Sequence, residues 1–240
     1  MPRSASSTVC IVQALADANA TPDKLMAPLG GEPALAHVLR RCSAIPGIDQ
    51  VVCATVTGPA GDPIAALADR REATVFRGVA SDALAHYHAA AMAVGAGIVL
   101  RVTSDCPLID PQICGELLRL RLAEDADYAA NNMPPSWPQG LDCEAFTVES
   151  LNDAKEIASD PADRRQVTPW IRRNRAFRRV NLAGPGGDLI EQRWMLAEPG
   201  DLSFLRAVYA RISADNAGWR EVAGLVAREP GLGTGVHPAE

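Results

Sequence analysis

The sequence predicts an α/β fold in which helices cover both faces of a mostly parallel β-sheet. Through the first two-thirds of the 240 residues, short runs of β-branched and apolar residues alternate with alanine-rich helical stretches. Apolar residues make up 48% of the chain and charged residues 22%, which is the balance of an ordinary globular protein. Strands that are connected through helices run parallel, so this alternation predicts one layered domain.

Four strands and four helices are predicted in the alternating region. Strands are expected where apolar and β-branched residues cluster, at 8–14, 50–56, 73–76 and 97–102. Helices are expected at 33–43, 62–71, 81–94 and 111–122. Pro33 and Pro111 support two of these helix starts, because the first helical turn does not need the N–H group that proline lacks.

From about residue 127 the alternation gives way to a less regular pattern. Residues 141–151 alternate like a strand that leads into a helix, and a helix at 164–174, a strand at 176–182 and a strand, turn and helix at 193–212 are predicted after it. The proline-rich turn at 133–140 could form a dimer arm or a lid, and the sequence leaves both open. We expect a single domain at 8–228 with a small β-rich arm at about 131–182, a disordered N-terminus at 1–7 and a tail at 229–240.

Charge and cysteine content narrow the class of protein. The net charge of −6 argues against nucleic-acid binding, which needs a basic surface. The six cysteines include no C-x-x-C pair, so buried reduced thiols are expected rather than disulfides. No apolar run reaches the roughly 18 residues that a membrane-spanning helix needs. We therefore expect a cytoplasmic protein that binds neither nucleic acid nor membrane.

The loops that follow the strands are the expected ligand sites, because ligands of parallel sheets bind beyond the carboxyl ends of the strands. One of these loops contains Thr103, Ser104 and Asp105, directly after an apolar strand. A carboxylate in that position could hold Mg²⁺ and bridge it to substrate phosphates. The alternative is that Asp105 only caps a turn. Asp110 precedes Pro111 and is expected to cap the next helix.

Several blocks of the sequence occur in the order and spacing of one known family. They are FRG…SDALAHYHAAA, RVTSDCPLIDP, DYAANN, PQGLDCEAF and RRQVTPWI. From about residue 8 to residue 212 the chain resembles the cytidylyltransferases that are similar to spore-coat polysaccharide biosynthesis proteins, which are relatives of the synthases of CMP-activated acidic sugars. The resemblance implies a Rossmann-like nucleotide-diphospho-sugar transferase fold, in which CTP and Mg²⁺ lie over the strand ends.

In the reaction that the resemblance implies, a hydroxyl of an acidic or modified sugar attacks the α-phosphate of CTP and releases pyrophosphate. The pathway would be surface-polysaccharide or modified-sugar biosynthesis, and we expect a homodimer. Asp105 would bind the metal and Lys24 would neutralise the triphosphate, so these two are the implied catalytic residues. The nucleotide would be bound by Gln13, Ala14, Lys24, Arg77, Ser81 and Thr103. The acceptor sugar would be bound by Gln139, Asp142, Glu144, Arg165 and Gln166.

Several parts of the family pattern are altered in this chain, including the acceptor-side positions Gln139, Arg165 and Gln166, and two of the changes affect the triphosphate loop and the metal site. The family's loop Q-A-R-M-x-S-x-R-L-P-x-K has two arginines that face the triphosphate, and Leu15 and Ala20 stand at their positions. Ala197 stands where the family's block R-L-T-V-D-T-P-E-D has the aspartate that serves as second metal ligand. Because each guanidinium makes charge-assisted hydrogen bonds, triphosphate affinity is expected to fall by orders of magnitude.

These changes leave two hypotheses about function. The chain is a CTP-dependent nucleotidyltransferase with an altered triphosphate loop and metal site, or it is a non-catalytic paralogue that acts as a binding or regulatory partner.

Seven arginines between residues 164 and 179 could supply a new anion site. A solvated helix face with some role in subunit contact is the favoured alternative for that segment.

Overall fold

The alternating first half of the chain builds most of the central sheet. The structure, a computed structural model, describes residues 7–15, 22–79, 81–212 and 217–232. The strands in these residues are β1 (Thr8–Ala14), β2 (Pro28–Leu29), β3 (Glu32–Pro33), β4 (Gln50–Val56), β5 (Thr74–Gly78), β6 (Ile98–Thr103), β7 (Tyr128–Ala130), β8 (Glu144–Thr147) and β9 (Arg179–Asn181). Seven of them form one sheet in the order β5-β4-β1-β6-β8-β7-β9, and β2 pairs with β3 in a small second sheet.

The large sheet is mostly parallel, as predicted. β1 lies in its middle and pairs in parallel with β4 on one side and β6 on the other. β8 is the strand that breaks the pattern, because it runs antiparallel to both β6 and β7. The segment predicted as a β-rich arm, 131–182, contributes β8 and β9 to this same sheet.

Helices cover both faces of the sheet. The α-helices are α1 (Pro22–Leu25), α2 (Ala34–Ser43), α3 (Asp62–Arg70), α4 (Ala83–Ala93), α5 (Pro111–Ala123), α6 (Val148–Ile157), α7 (Pro161–Gln166), α8 (Pro169–Arg173), α9 (Asp201–Tyr209) and α10 (Trp219–Arg228), and the 3₁₀-helices are η1 (Gly187–Glu191) and η2 (Pro230–Leu232). One face of the sheet packs on α2, α3, α5, α9 and α10, through residues such as Leu39 and Phe204. The other face packs on α4, α6 and α8, through residues such as Tyr87 and Leu151.

The starts of three helices follow from local side-chain caps. Asp110 Oδ1 accepts hydrogen bonds from Gln112 N at 2.8 Å and Ile113 N at 3.3 Å, which confirms the predicted cap of α5. Its other oxygen accepts from Trp219 N at 2.8 Å, so the same carboxylate also fixes the start of α10. Asp82 and Thr147 cap α4 and α6 in the same way.

Three predictions for the later part of the chain are wrong in detail. The helix predicted at 164–174 is two short helices, because Val167 has a φ of 73° and Pro169 lacks the N–H group that would continue the helical hydrogen bonds. The strand predicted at 176–182 is limited to β9, whose only strand partner among the described residues is the three-residue β7. Residues 193–196 form no strand, since their backbone groups bond to loops: Trp194 N donates to Gln139 O at 2.7 Å and Leu196 N to Asp105 O at 2.7 Å.

Helix α10 was not predicted, although its sequence carries a signal for it. Val222, Leu225 and Val226 recur with helical spacing and are buried. In the predicted tail, Leu232 packs against the core, and residues 233–240 lie outside the described part. Residues 1–6 of the predicted disordered N-terminus also lie outside it, while Ser7 O accepts a hydrogen bond from Gly97 N at 2.8 Å.

The cysteines behave as predicted. All six are free and buried. Within the described residues, none of the helices has both the length and the apolar character needed to cross a membrane.

Candidate functional site

The carboxyl ends of β1 and β6 lie side by side in the middle of the sheet. Their pairing places Gln13 opposite Thr103, and Ser104 N donates to Gln13 O at 3.2 Å. Asp105 follows directly in the loop after β6. The structure therefore brings Gln13, Thr103 and Asp105 to the edge where ligands of parallel sheets bind.

The bonds that Gln13, Thr103 and Asp105 make through their side chains to described residues are weak. Gln13 Oε1 accepts from Arg101 Nη2 at 3.4 Å. Cys106 Sγ donates to Asp105 Oδ1 at 3.4 Å and lies 3.2 Å from Thr103 Oγ1. Burial raises the pKa of the Cys106 thiol, so the thiol keeps the proton that it donates to Asp105. Gln13, Thr103 and Asp105 are each half-buried rather than sealed in the core.

Lys24 reaches the same edge through a loop from the C-terminal part of the chain. Lys24 Nζ donates to Ala197 O at 3.0 Å, and the preceding residue of that loop, Leu196, donates from its N–H to Asp105 O at 2.7 Å. At position 197, where the family resemblance implies a metal-binding carboxylate, the chain offers a backbone carbonyl to Lys24. We name the set Gln13, Lys24, Thr103 and Asp105 the central edge.

A buried aspartate shapes the loop around Ala197. Asp201 is fully buried and accepts hydrogen bonds from Ala197 N at 2.8 Å and Glu198 N at 2.6 Å. It also forms an ion pair of 2.8 Å with Arg193. The turn is therefore fixed by Asp201 and Arg193, without a carboxylate on residue 197.

Next to the central edge, Glu144 at the start of β8 anchors a buried polar cluster. Glu144 Oε2 accepts from Arg101 Nη1 at 2.7 Å, and Oε1 accepts from Thr168 Oγ1 at 2.8 Å and from the Tyr128 hydroxyl. Glu144 is 3% exposed. Burial alone would raise its pKa, but Arg101 and the two hydroxyl donors outweigh burial, so the pKa of Glu144 lies below its usual value. We name Arg101, Tyr128, Glu144 and Thr168 the buried cluster.

Asp142 lies between the central edge and the buried cluster. Its carboxylate accepts a hydrogen bond from Gly140 N at 3.2 Å, and the Asn132 side chain favours its charged form. Burial raises the pKa of Asp142, and the negative charges of Glu144 and Asp105 raise it further. The three carboxylates Asp105, Asp142 and Glu144 are therefore close enough to influence one another, which defines one site.

The turn that carries Asp142 requires its glycine. Gly140 has a φ of 100°, and a Cβ at this residue would meet the backbone of Trp194 at 2.7 Å. The preceding Gln139 bonds to the same segment through its backbone, from Gln139 N to Gln192 O at 2.9 Å, while its side chain is exposed. Arg165 and Gln166 are exposed on α7.

The remaining predicted nucleotide ligands are Ala14, at the end of β1, and Arg77 and Ser81, which lie toward β5. Arg77 on β5 donates to Val56 O at 3.2 Å and Gly58 O at 3.0 Å and pairs with Asp62 at 2.5 Å. The sheet order places β5 two strands from β1. Ser81 is exposed just before α4. Ala14 is buried, and its carbonyl accepts from Thr55 Oγ1 at 3.0 Å.

Reasoning from sequence missed Arg101, Tyr128 and Thr168. A signal for Arg101 was present, because it interrupts the apolar strand IVLRVT, and a charge in such a strand needs a partner when it is buried. Nothing local in the sequence links Arg101 to Tyr128 or Thr168. Three strands and one helix must assemble before these side chains meet.

The fold family implies a magnesium ion, and the donor groups at the central edge fit one. Mg²⁺ in nucleotide sites is typically bound by one or two carboxylates and completed by substrate phosphates and water. Asp105 supplies one hard carboxylate at the strand end, and Asp142 is a second carboxylate within its electrostatic reach. Among the described residues, no group of three or more His, Cys, Asp or Glu side chains could hold a metal ion by itself. Asp105 would hold such an ion together with phosphates of the nucleotide.

A protein-family comparison bears on what this site does. The family model described as cytidylyltransferase matches residues 9–200, which is well over half of the chain. This chain belongs to the cytidylyltransferase family. The match confirms the family that the sequence blocks indicate.

Curated relatives of this cytidylyltransferase family member are distant. The spore coat polysaccharide biosynthesis protein SpsF of Bacillus subtilis is 26% identical over 175 residues, which cover 71% of this chain and 72% of that protein. An uncharacterised protein of Methanocaldococcus jannaschii is 26% identical over 164 residues, which cover 68% of this chain and 66% of that protein.

Solved structures confirm the fold class. A cytidylyltransferase from Leptospira borgpetersenii superposes with a TM-score of 0.88 at 22% identity, covering 98% of both chains. The synthetase of CMP-2-keto-3-deoxy-manno-octonic acid, determined in complex with CTP, superposes with a TM-score of 0.61 at 16% identity, covering 86% of this chain and 99% of that one. At these identities the likeness concerns the α/β fold with its mostly parallel sheet.

Proposed function

We propose that this cytidylyltransferase family member is a CTP-dependent enzyme of the CMP-sugar synthase type, acting in surface-polysaccharide or modified-sugar biosynthesis. The observation that carries the proposal is the convergence of Gln13, Thr103, Asp105 and Lys24 at the carboxyl ends of two central parallel strands. Asp142 lies close enough for the charge of Asp105 to raise its pKa. An α/β sheet binds a nucleotide at this kind of edge, and a second substrate can bind next to it.

Each residue has a role in this reaction that follows from its chemistry. Gln13 would face the nucleotide, and the Lys24 ammonium would screen the negative charge of the triphosphate. Asp105 would hold Mg²⁺, which when bound neutralises charge on the phosphates. Asp142 would lie beside the acceptor sugar, whose hydroxyl attacks the α-phosphate, forming the new P–O bond as the bond to pyrophosphate breaks and releasing its proton to water. Catalysis of this type consists mainly of positioning and charge neutralisation.

The altered loop sets an expectation for affinity. Leu15 and Ala20 stand at the arginine positions of the family, so fewer charge-assisted donors face the triphosphate. We therefore expect the protein to bind CTP more weakly than family members that have both arginines. Leu15 is 7% exposed and packs in the core, whereas Ala20 lies outside the described residues.

Calorimetric titration with CTP tests the proposal. We expect heat of binding with CTP in the presence of Mg²⁺, a smaller signal with ATP, GTP or UTP, and loss of the Mg²⁺ effect in Asp105→Asn. Asp153→Asn, on the outer helix α6, serves as the matched control. If CTP at millimolar concentration with Mg²⁺ gives neither heat nor a shift in melting temperature, the proposal is wrong.

One observation favours a second candidate, a non-catalytic paralogue that acts as a binding or regulatory partner. Ala197 occupies the position of the family's second metal ligand, and its carbonyl already accepts a hydrogen bond from the Lys24 ammonium. Release of pyrophosphate from CTP upon addition of a sugar acceptor separates the two candidates. Turnover by the native protein excludes the paralogue, and CTP binding without turnover for a panel of sugar acids supports it.

A further inference from the structure

The loop that carries Asp105 is held in place through its backbone carbonyl groups. Residues 105–109 lead from the end of β6 to the cap of α5. Three alternate carbonyls of this loop accept hydrogen bonds from distant parts of the chain: Asp105 O from Leu196 N at 2.7 Å, Pro107 O from the Tyr209 hydroxyl at 2.7 Å and Ile109 O from Arg41 Nη1 at 3.4 Å. Buried carbonyl groups need such partners, so these donors fix the path of the loop.

Tyr209 makes the shorter of the two side-chain bonds to this loop. The residue is 5% exposed, and burial raises the pKa of Tyr209, so the hydroxyl stays protonated and remains a donor. Pro107 is buried as well, so water does not reach its carbonyl unless the loop opens. The middle of the loop therefore depends on the Tyr209 hydroxyl.

The Tyr209 ring is held by α2 and by the turn between β2 and β3. The centroids of the His37 and Tyr209 rings lie 4.3 Å apart. A Cβ added to Gly30 would lie 3.7 Å from the Tyr209 side chain, so this turn packs beside the ring. Because these contacts fix the ring, the hydroxyl is directed at Pro107 in one orientation.

The position of Pro107 is linked to the Asp105 carboxylate by a short turn. Ile109 N donates to Cys106 O at 3.0 Å, which closes the turn around Pro107. The Cys106 thiol donates to Asp105 Oδ1 at 3.4 Å. A displacement of Pro107 therefore also moves Asp105. A shift of about 1 Å is enough to weaken a Mg²⁺ site, because this ion demands near-ideal octahedral geometry.

We propose that Tyr209 is a positioning residue of the metal site, whose hydroxyl holds the 105–109 loop so that the Asp105 carboxylate can bind Mg²⁺ together with the phosphates of CTP. The inference rests on the proposed function, because it assumes that Asp105 binds the metal. It gives helix α9 a role in a site that is built at the ends of β1 and β6. Tyr209 lies beyond residues 9–200, which the cytidylyltransferase family model matches.

The variant Tyr209→Phe tests the assignment, because it removes the hydroxyl and keeps the ring. Tyr87→Phe is the matched control, since Tyr87 is also buried and its hydroxyl donates to a backbone carbonyl, Ile11 O, at 2.9 Å on the other face of the sheet. Each variant leaves one carbonyl without its donor, so both should lower the melting temperature by about 2–8 °C. Loss of stability alone therefore does not distinguish the two tyrosines.

The effect of Mg²⁺ on CTP binding is the readout that is specific to positioning. Isothermal titration gives the Kd of CTP in Mg²⁺ and in EDTA, and the ratio of the two values measures the gain in affinity from the metal. Tyr209→Phe should bind CTP in EDTA as the wild type does. Its gain from Mg²⁺ should fall about tenfold, or vanish where the wild-type gain is smaller, which is the scale on which residues that orient a metal ligand affect metal binding. Tyr87→Phe should keep the wild-type gain.

Amide hydrogen exchange of the ligand-free protein gives a second readout, which needs no nucleotide. Leu196 N and Ile109 N both donate to carbonyls of the 105–109 loop, so their protection reports whether the loop keeps its path. Both amides should exchange about tenfold faster in Tyr209→Phe than in the wild type. Tyr87→Phe should leave their exchange rates close to those of the wild type.

Three results overturn the assignment: an unchanged gain from Mg²⁺ in Tyr209→Phe, an equal loss of the gain in Tyr87→Phe, or unchanged exchange of the Leu196 and Ile109 amides in Tyr209→Phe. Failure of the proposed function gives a different result, because wild-type protein would then bind CTP neither in Mg²⁺ nor in EDTA. In that case faster exchange in Tyr209→Phe alone would still support Tyr209 as the residue that holds the loop, and unchanged exchange would contradict it.

Discussion

The buried cluster and the central edge lie at the same end of the sheet, but the chain holds them in opposite ways. In the buried cluster, both oxygens of Glu144 accept hydrogen bonds from Arg101, Thr168 and Tyr128. At the central edge, Gln13 accepts only a long bond from Arg101, at 3.4 Å, and Asp105 accepts from the Cys106 thiol, which is a weak donor.

This difference separates what holds the fold from what can bind a ligand. A polar group whose hydrogen bonds are all made within the protein gains little binding free energy from a ligand. Removal of one of its partners costs much free energy of folding. Polar groups with weak internal partners can exchange them for a ligand at small cost. Mutations in the buried cluster should therefore affect stability first, and mutations at the central edge should affect binding first.

The largest effect is expected from Arg101→Met, which leaves the Glu144 charge buried without its ion-pair partner. Removing one member of a buried pair costs about 3–5 kcal/mol of unfolding free energy, which for a domain of this size lowers the melting temperature by about 6–20 °C. Scanning calorimetry measures the shift. Arg119→Met is the control, because Arg119 is exposed and lies 4.0 Å from Glu116, and it should change the melting temperature by less than about 2 °C. Equal effects of the two variants would show that the cluster does not stabilise the fold.

A smaller effect, and one on binding, is expected from Ala197→Asp. The new carboxylate would stand near Asp105, since residues 105 and 196 are joined by a backbone hydrogen bond, and it would give Mg²⁺ a second hard ligand. CTP affinity in the presence of Mg²⁺ should rise about tenfold, equivalent to about 1.4 kcal/mol. Titration with CTP in Mg²⁺ and in EDTA measures the gain. The uncharged variant Ala197→Asn should show no gain, and an equal gain in both would argue against a metal-binding role for this position.

The smallest effect concerns Asp142, which lies between the two regions. Because the pKa of Asp142 is raised in the folded protein by burial, its stabilising contribution is present below the unfolded pKa and is lost as pH rises through the folded pKa. At pH 7 the variant Asp142→Asn should therefore melt about 2 °C higher than the wild type, and the gain should shrink as the pH falls toward 4.

Glu144 should behave with the opposite sign. Its pKa is lowered in the folded state, so its contribution is present at neutral pH and is lost as pH falls through the folded pKa. Glu144→Gln should melt lower than the wild type at pH 7. Melting curves between pH 4.5 and 8 give the difference in melting temperature between each variant and the wild type as a function of pH. If this difference changes with pH in the same direction for both variants, the two carboxylates do not lie in different environments.

Much of the fold was predictable because its signals are local. The strand at residues 8–14 and the strand at 50–56 have the predicted bounds, since each is rich in β-branched and apolar residues. The cap by Asp110 before Pro111 follows from two neighbouring residues. The split of the predicted helix at 164–174 was predictable in part from Pro169, but the positive φ of Val167 was not.

The candidate site was only partly predictable. Gln13, Thr103 and Asp105 could be placed at one edge, because the carboxyl ends of parallel strands meet there. The bond between Lys24 and Ala197 could not, since 173 positions of sequence separate the two residues. The loop that carries Ala197 was predicted as a strand, and its contact with Asp105 depends on how the C-terminal segment packs.

The α/β alternation, the family of the chain and the loss of the loop arginines can be read from the sequence, because they depend on the identity and spacing of residues. The ion pair between Glu144 and Arg101 in the buried cluster, and the lack of an acidic partner for the partly buried Arg172 within the described residues, follow from the packing of the chain. Such pairings depend on distances between side chains that lie far apart in the sequence. Those distances are fixed when the sheet and its covering helices pack together.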